Sequence, residues 1–134
     1  MLRFKDDIVD RSFAFAVRVV KMARELAAEP VGRIVAGQVV RSASSIGANV
    51  EEAQAADTGK EFARCMTIVK KEARETLYWL RLIRETGLLP AERLGRLIEE
   101  CEAVGRILYA IVKTPRESAK AGRGAKTQHL APST

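Results

Sequence analysis

Apolar residues recur every three or four positions along most of the chain, and residues typical of helix ends interrupt this pattern at three places. The interruptions are Glu29-Pro30, Asp57-Thr58-Gly59 and Gly87-Leu88-Leu89-Pro90. Thr58 and Glu61 have the spacing of a capping box, and Gly87 suits the left-handed end of a helix. No segment shows the alternation of apolar and polar residues that is typical of strands. The sequence therefore predicts four helices, over about residues 12–28, 31–56, 59–86 and 90–113.

Short connections between long helices favour an antiparallel arrangement of sequential helices. We therefore predict an all-α fold, an antiparallel up-down-up-down four-helix bundle over residues 1–113. The length of 134 residues suits one such domain. Pro115 is expected to end the fourth helix, and residues 114–134 are predicted to form a basic, disordered tail. This tail holds four bases and one acid, which supply +3 of the net charge of +6.

The first helix is apolar over most of its circumference. Phe13, Val17 and Val20 form one stripe, and a second stripe of apolar residues lies beside it. Such a helix needs burial on two sides, which either a wide core or a subunit interface can provide. We favour self-association, with a candidate subunit interface that comprises Phe13, Phe15, Val19, Met22 and Leu26.

The second helix carries an unusual file of polar residues beside its apolar stripe. Ser, Gly and Asn between residues 41 and 53 are mediocre helix formers, but the apolar residues around them keep the helical phase. Two glutamates on the third helix are candidate partners for an arginine in this file. We favour an internal hydrogen-bonded network that fixes helix register over a site for a polar ligand. The predicted polar seam comprises Gln38, Arg41, Ser45, Asn49, Glu52, Glu72 and Glu75.

The sequence offers no constellation for catalysis, for metal binding or for a cofactor. His129 is the only histidine and lies in the tail. Cys65 and Cys101 fall at different levels of antiparallel helices, so we expect core thiols and no disulfide between them. No apolar run reaches the roughly 18–20 residues of a transmembrane helix, and the N-terminus lacks the apolar core of a signal peptide. We therefore predict a cytoplasmic protein that is not an enzyme and has no membrane partner.

Three segments resemble one known family: residues 12–26, the stretch from Gln38 and Arg41 to Glu52, and residues 72–80. The Arg-Ser-Ala-Ser-Ser-Ile-Gly-Ala-Asn signature and its flanks resemble the large-subunit (23S) rRNA intervening-sequence proteins, over about residues 8–112. The resemblance implies a homopentameric up-down bundle without catalytic residues, and it points to nucleic acid as a ligand. Residues 103–108 also look like a related branch, the accessory variability proteins of diversity-generating retroelements. The members of that branch are basic pentamers that work with a reverse transcriptase.

Basic side chains recur at helical spacing along the third helix and again in the tail. The candidate nucleic-acid contacts are Lys70, Lys71, Arg74, Arg81, Arg84, Arg116, Lys120, Arg123 and Lys126. Five copies of a chain with net charge +6 would carry +30, and phosphate-backbone binding grows with multivalent charge. We therefore expect RNA or DNA binding with little sequence readout. The alternative is a scaffold whose basic face docks a partner protein such as a retroelement reverse transcriptase.

Overall fold

The computed structural model describes the backbone of residues 6–122 and the side chains of residues 7–111. This part of the chain forms four α-helices and no strand. They are α1 (Asp6–Leu26), α2 (Pro30–Gln54), α3 (Gly59–Thr86) and α4 (Ala91–Gly122). The prediction of four helices in an all-α fold is therefore confirmed. None of the described helices is both long enough and apolar enough to cross a membrane.

The ends of α3 follow the local signals in the sequence. The Thr58 side chain accepts a hydrogen bond from the backbone N–H of Glu61 at 3.1 Å, so the N-terminus is capped. Gly87 adopts a φ of 72°, a left-handed conformation that costs a glycine little. The N–H of the next residue, Leu88, then bonds to the Ile83 carbonyl at 3.3 Å and closes the helix end. Both predicted ends of this helix are correct.

The outer ends of α1 and α4 differ from the prediction. The first helix begins at Asp6, not at residue 12, because Ile8 and Ser12 continue its buried face. The fourth helix, predicted to end at Lys113, continues to Gly122. Pro115 removes one backbone donor, which interrupts a helix without always ending it. The prediction of disorder was therefore wrong for residues 114–122, and residues 123–134 lie outside the described part.

The four helices enclose one hydrophobic core, and each helix packs against two others. The helix α1 contacts α2 and α4, and α3 contacts the same two helices. Between α1 and α2 the chain turns so sharply that a Cβ at Gly32 would collide with the Leu26 carbonyl. Only glycine fits there without a backbone shift. The largest fully buried side chains include Phe15, Ile46, Met66, Leu80, Ile83 and Leu94.

The core takes up most of the predicted subunit interface. Phe15, Val19, Met22 and Leu26 are each no more than 2% exposed, so they have no surface to offer a second chain. The prediction that these four residues line a subunit interface was therefore wrong. Of the five residues proposed, only Phe13 points outward, with 60% of its surface exposed. The second apolar stripe of α1 faces its own bundle, and the stripe that includes Phe13 remains accessible.

Candidate functional site

Arg41 of α2 contacts three other residues of the predicted seam. Its guanidinium donates to Glu72 Oε1 at 3.2 Å, to Gln38 Oε1 at 3.3 Å and to Glu75. The Arg41 side chain is 49% exposed, whereas that of Glu72 is only 9% exposed. The arginine therefore sits at the surface and compensates a carboxylate that is almost buried between α2 and α3. Glu75 also accepts a hydrogen bond from Trp79 Nε1 at 3.0 Å.

Below this cluster lies a buried hydroxyl pair that the seam prediction did not include. Thr76 Oγ1 and Ser42 Oγ are 2.8 Å apart, and Thr76 Oγ1 also lies 2.8 Å from the Glu72 carbonyl oxygen. Both side chains are fully buried. The sequence did carry a signal, because Ser42 interrupts the apolar stripe of α2 between Val39 and Ile46. A small hydroxyl residue in core phase on two neighbouring helices indicates a cross-helix hydrogen bond.

The remaining seam residues do not join the Arg41 cluster. Asn49 Nδ2 donates to the Ser45 carbonyl at 2.9 Å and lies 3.1 Å from Ser45 Oγ, so these two residues pair within α2. Glu52 is exposed, and no hydrogen bond or ion pair joins its side chain to another described residue. The seam is thus a cross-helix cluster around Arg41, a local pair and a separate surface carboxylate.

The basic residues of α3 lie mainly on the surface. Lys71, Arg74 and Arg81 are exposed, and no described carboxylate lies within 4 Å of their charged groups. Lys70 is half-buried, with Nζ 5.3 Å from the centre of the Tyr109 ring. Arg84 is paired with Glu85 at 3.0 Å. The side chains of Arg116, Lys120, Arg123 and Lys126 lie outside the described residues.

Lys70, Arg74 and Arg81 share one face of α3. Steps of four and seven residues return to nearly the same side of a helix, and the three side chains therefore follow one line about 16 Å long. Glu72 and Glu75 do not neutralise this line, because both carboxylates pair with Arg41 on the side of α2. The result is a basic stripe, defined by Lys70, Arg74 and Arg81.

The described residues contain no cluster of three side chains suited to a metal ion. Cys65 and Cys101 are buried free thiols. Burial, together with the nearby charges of Glu102 and Glu100, raises the pKa of the Cys101 thiol to about 12. This thiol is therefore protonated at neutral pH and a poor nucleophile. His129 lies outside the described residues.

Comparisons with known proteins agree with the resemblance seen in the sequence. No curated protein matches the chain. The chain is similar to a solved crystal structure, that of a protein with unknown function from the S23 ribosomal protein family of Bacteroides thetaiotaomicron VPI-5482. The two structures superpose with a TM-score of 0.75, and their sequences are 34% identical. The match covers 80% of this chain and 99% of the other. The family model of the 23S rRNA-intervening sequence protein matches residues 5–110. The chain therefore belongs to the 23S rRNA-intervening sequence protein family.

Proposed function

We propose that this chain is a non-enzymatic four-helix bundle that assembles into a homopentamer and binds RNA through its basic stripe. The observation that carries the proposal is the stripe on α3, where exposed Arg74 and Arg81 lack a described carboxylate partner. Free cations of this kind contact phosphates, and each contact releases counterions from the nucleic acid. The same stripe would bind DNA by the same chemistry.

Ion pairs between α1 and α4 support an antiparallel up-down-up-down arrangement. Arg93, near the start of α4, donates two hydrogen bonds of 2.6 Å to Glu25, near the end of α1. Glu100, two turns further along α4, accepts bonds of 2.7 and 2.9 Å from Arg11, near the start of α1. As the residue number rises along α4, the residue number of its partner on α1 falls, so the two helices run in opposite directions.

Exposed apolar residues support self-association. On α1, Phe13 and Val20 lie two turns apart on one face and are 60% and 39% exposed. At the start of α2, Val31 and Ile34 are 57% and 71% exposed. Apolar side chains on the surface favour burial against another chain. These four residues replace the earlier set as the proposed subunit interface, with Phe13 common to both.

Assembly multiplies the charge of the stripe, because every subunit contributes its own copy. Several weak phosphate contacts on one particle then act as a multivalent ligand. The affinity would depend on charge and RNA shape, with little readout of base sequence. It would also fall steeply as the salt concentration rises.

The test measures binding of a fluorescent, structured RNA by anisotropy across a salt series, with the mass of the particle determined by light scattering. Arg74→Ala with Arg81→Ala should weaken binding and reduce the slope of log K against log salt by about two or more. Lys21→Ala with Arg24→Ala removes the same charge from α1 and serves as the matched control. Absence of binding by the unchanged protein at about 100 mM salt, or equal losses in both variants, would contradict the proposal.

A second candidate is a scaffold that docks a partner enzyme such as a retroelement reverse transcriptase. Residues 103–108 carry the resemblance that favours it, and Ile107 in this segment is 36% exposed. If a retroelement reverse transcriptase is encoded beside the gene of this chain, co-expression of the two proteins tests this candidate. A complex that survives nuclease treatment and loses affinity on Ile107→Glu would support docking of a protein. Absence of a complex would exclude it.

A further inference from the structure

A groove of about 580 Å³ lies between α3 and α4, next to the basic stripe. Its floor is apolar and consists of Leu77, which is half-buried, and of the core residues Met66, Val69 and Leu108, which are almost fully buried. The lining on α3 runs from Met66 to Leu77, which corresponds to about 16 Å along the helix axis. The volume is in the range of pockets that hold small ligands.

Small residues on the two facing helices create the groove. Ala73 lies on α3, and Cys101 and Gly105 lie on α4. Cys101 Sγ is 3.7 Å from the Ala73 carbonyl oxygen, so the helices approach closely at this level. A Cβ built on Gly105 meets no neighbouring atom within 4 Å. The space is therefore left open by missing side chains, and a side chain at Gly105 could enter it.

Cations dominate the rim of this groove. Lys70, Arg74 and Arg106 line it together with one carboxylate, that of Glu102. None of the three cations forms an ion pair with a described carboxylate. An apolar floor beneath a rim of net charge +2, from three cations and one carboxylate, matches a ligand that has an apolar body and an anionic end.

We propose that the groove binds an unbranched alkyl chain that ends in a carboxylate or a phosphate. The chain would lie on the apolar floor, and the anionic end would contact Lys70, Arg74 or Arg106. A nucleobase fits less well, because the floor beside the Tyr109 ring is aliphatic and offers its polar edges no hydrogen-bond partners. A second copy of this chain is not the proposed occupant, because the exposed apolar residues proposed for self-association lie on α1 and α2 and none of them lines this groove. This site shares Lys70 and Arg74 with the basic stripe, but the apolar floor gives it a ligand of a different kind, and its test does not depend on the proposed RNA binding.

Calorimetric titration of the full-length protein tests the proposal, with all ligands below their micellar concentrations. The probes are dodecanoate, dodecyl phosphate, octanoate and dodecyltrimethylammonium. Each buried methylene is expected to increase affinity by roughly three- to fourfold, so dodecanoate should bind at least tenfold more tightly than octanoate. The two dodecyl anions distinguish a carboxylate ligand from a phosphate ligand. Equal binding of the cationic dodecyl compound would overturn the proposal.

Two glycine variants locate the site without changing the charge. Gly105→Leu should fill the groove and weaken dodecanoate binding more than tenfold. Gly95→Leu is the matched control, because Gly95 is also on α4, its added Cβ also meets nothing within 4 Å, and it does not line the groove. Leucine is a better helix former than glycine, so both variants are expected to fold. Equal dodecanoate binding by the two variants would refute the assignment.

Light scattering of the same variants tests whether a second copy of this chain occupies the groove instead. An unchanged particle mass in Gly105→Leu is expected if the groove holds a small amphiphile. A smaller particle mass for Gly105→Leu than for Gly95→Leu would show that a second copy occupies the groove, and would overturn the proposal.

Arg74→Gln with Arg106→Gln provides a second test at the rim. This variant should lose the preference for dodecanoate over uncharged dodecanol and retain an apolar floor.

Discussion

Replacement of Arg41 by leucine tests whether the cluster between α2 and α3 holds the bundle together. The substitution removes the one described cation within 4 Å of the Glu72 carboxylate, whose side chain is 9% exposed. Loss of a hydrogen bond to a charged group costs about 1.5–3 kcal/mol, and loss of a partner from a fully buried ion pair about 3–5 kcal/mol. Because the Arg41 side chain is 49% exposed, water partly compensates the loss. We therefore expect a destabilisation of about 2 kcal/mol.

For a domain near this size, that loss lowers the melting temperature by roughly 10 °C. Circular dichroism at 222 nm measures it, at one fixed protein concentration because assembly makes the melting temperature depend on concentration. In a Glu72→Gln background, Arg41→Leu should cost less than about 1 kcal/mol, since no buried charge is left uncompensated. Arg24→Leu, at an exposed site on α1, is the control and should stay within about 0.5 kcal/mol of the unchanged protein.

An Arg41→Leu melting temperature within 2 °C or so of the unchanged protein would refute this reasoning, because that shift corresponds to less than about 0.5 kcal/mol. Equal costs of Arg41→Leu with and without Glu72→Gln would refute it as well. In that case the exposed ion pair would contribute as little as most surface salt bridges do. The register of α2 against α3 would then depend on the buried hydroxyl pair and on apolar packing alone.

Three further predictions concern single positions. Thr76→Val keeps the shape of the side chain but removes its buried hydroxyl, so urea denaturation should show a loss of about 1–2 kcal/mol, and a neutral result would contradict the hydrogen bond to α2. Gly32→Ala should be strongly destabilising because the added Cβ would collide with the Leu26 carbonyl. Gly37→Ala, where an added Cβ meets nothing within 4 Å, should stabilise the protein by about 0.5–1 kcal/mol. Equal melting temperatures for the two variants would refute the backbone collision. The hydrogen bond and the charge of Arg11 lower the pKa of Glu100 below its ordinary value of 4.5, so this pair stabilises the protein above that value and the contribution is lost as the pH falls below it. Glu100→Gln should therefore lower the free energy of unfolding near pH 7 by no more than about 1 kcal/mol. Near pH 3 the difference in this free energy between the variant and the unchanged protein should be smaller. An identical difference at both pH values would contradict the assignment.

Local signals predicted the helices well. The capping residue Thr58 and the left-handed Gly87 act within one turn of chain, and the backbone around them adopts the expected conformations. The prediction that Pro115 ends the fourth helix was wrong, because α4 continues to Gly122. A proline removes a single donor, and the residues beyond it have enough helical propensity to continue.

The candidate sites depended more on tertiary contacts. The sequence paired Arg41 with Glu72 and Glu75 correctly, because the polar file of α2 and these two glutamates of α3 both lie beside the apolar stripes through which the two helices pack. The sequence seam omitted the Ser42–Thr76 pair, since each residue by itself looks like an ordinary small polar residue in a helix. Ser45 and Asn49 were placed in one network with Arg41 but pair only with each other among the contacts described here.

The sequence alone determined the all-α class, the four helices and the family, because periodicity, caps and the signature on α2 are properties of consecutive residues. The tertiary structure decided which of the two apolar stripes of α1 faces the core, since both stripes satisfy the same helical period. It also decided that Phe13 stays exposed and that Phe15 does not. The groove depends on tertiary structure in the same way, because Ala73 and Gly105 leave a space only where α3 and α4 bring them together. Burial is a relation between segments that are distant in the chain, and the spacing of residues along one helix does not encode it.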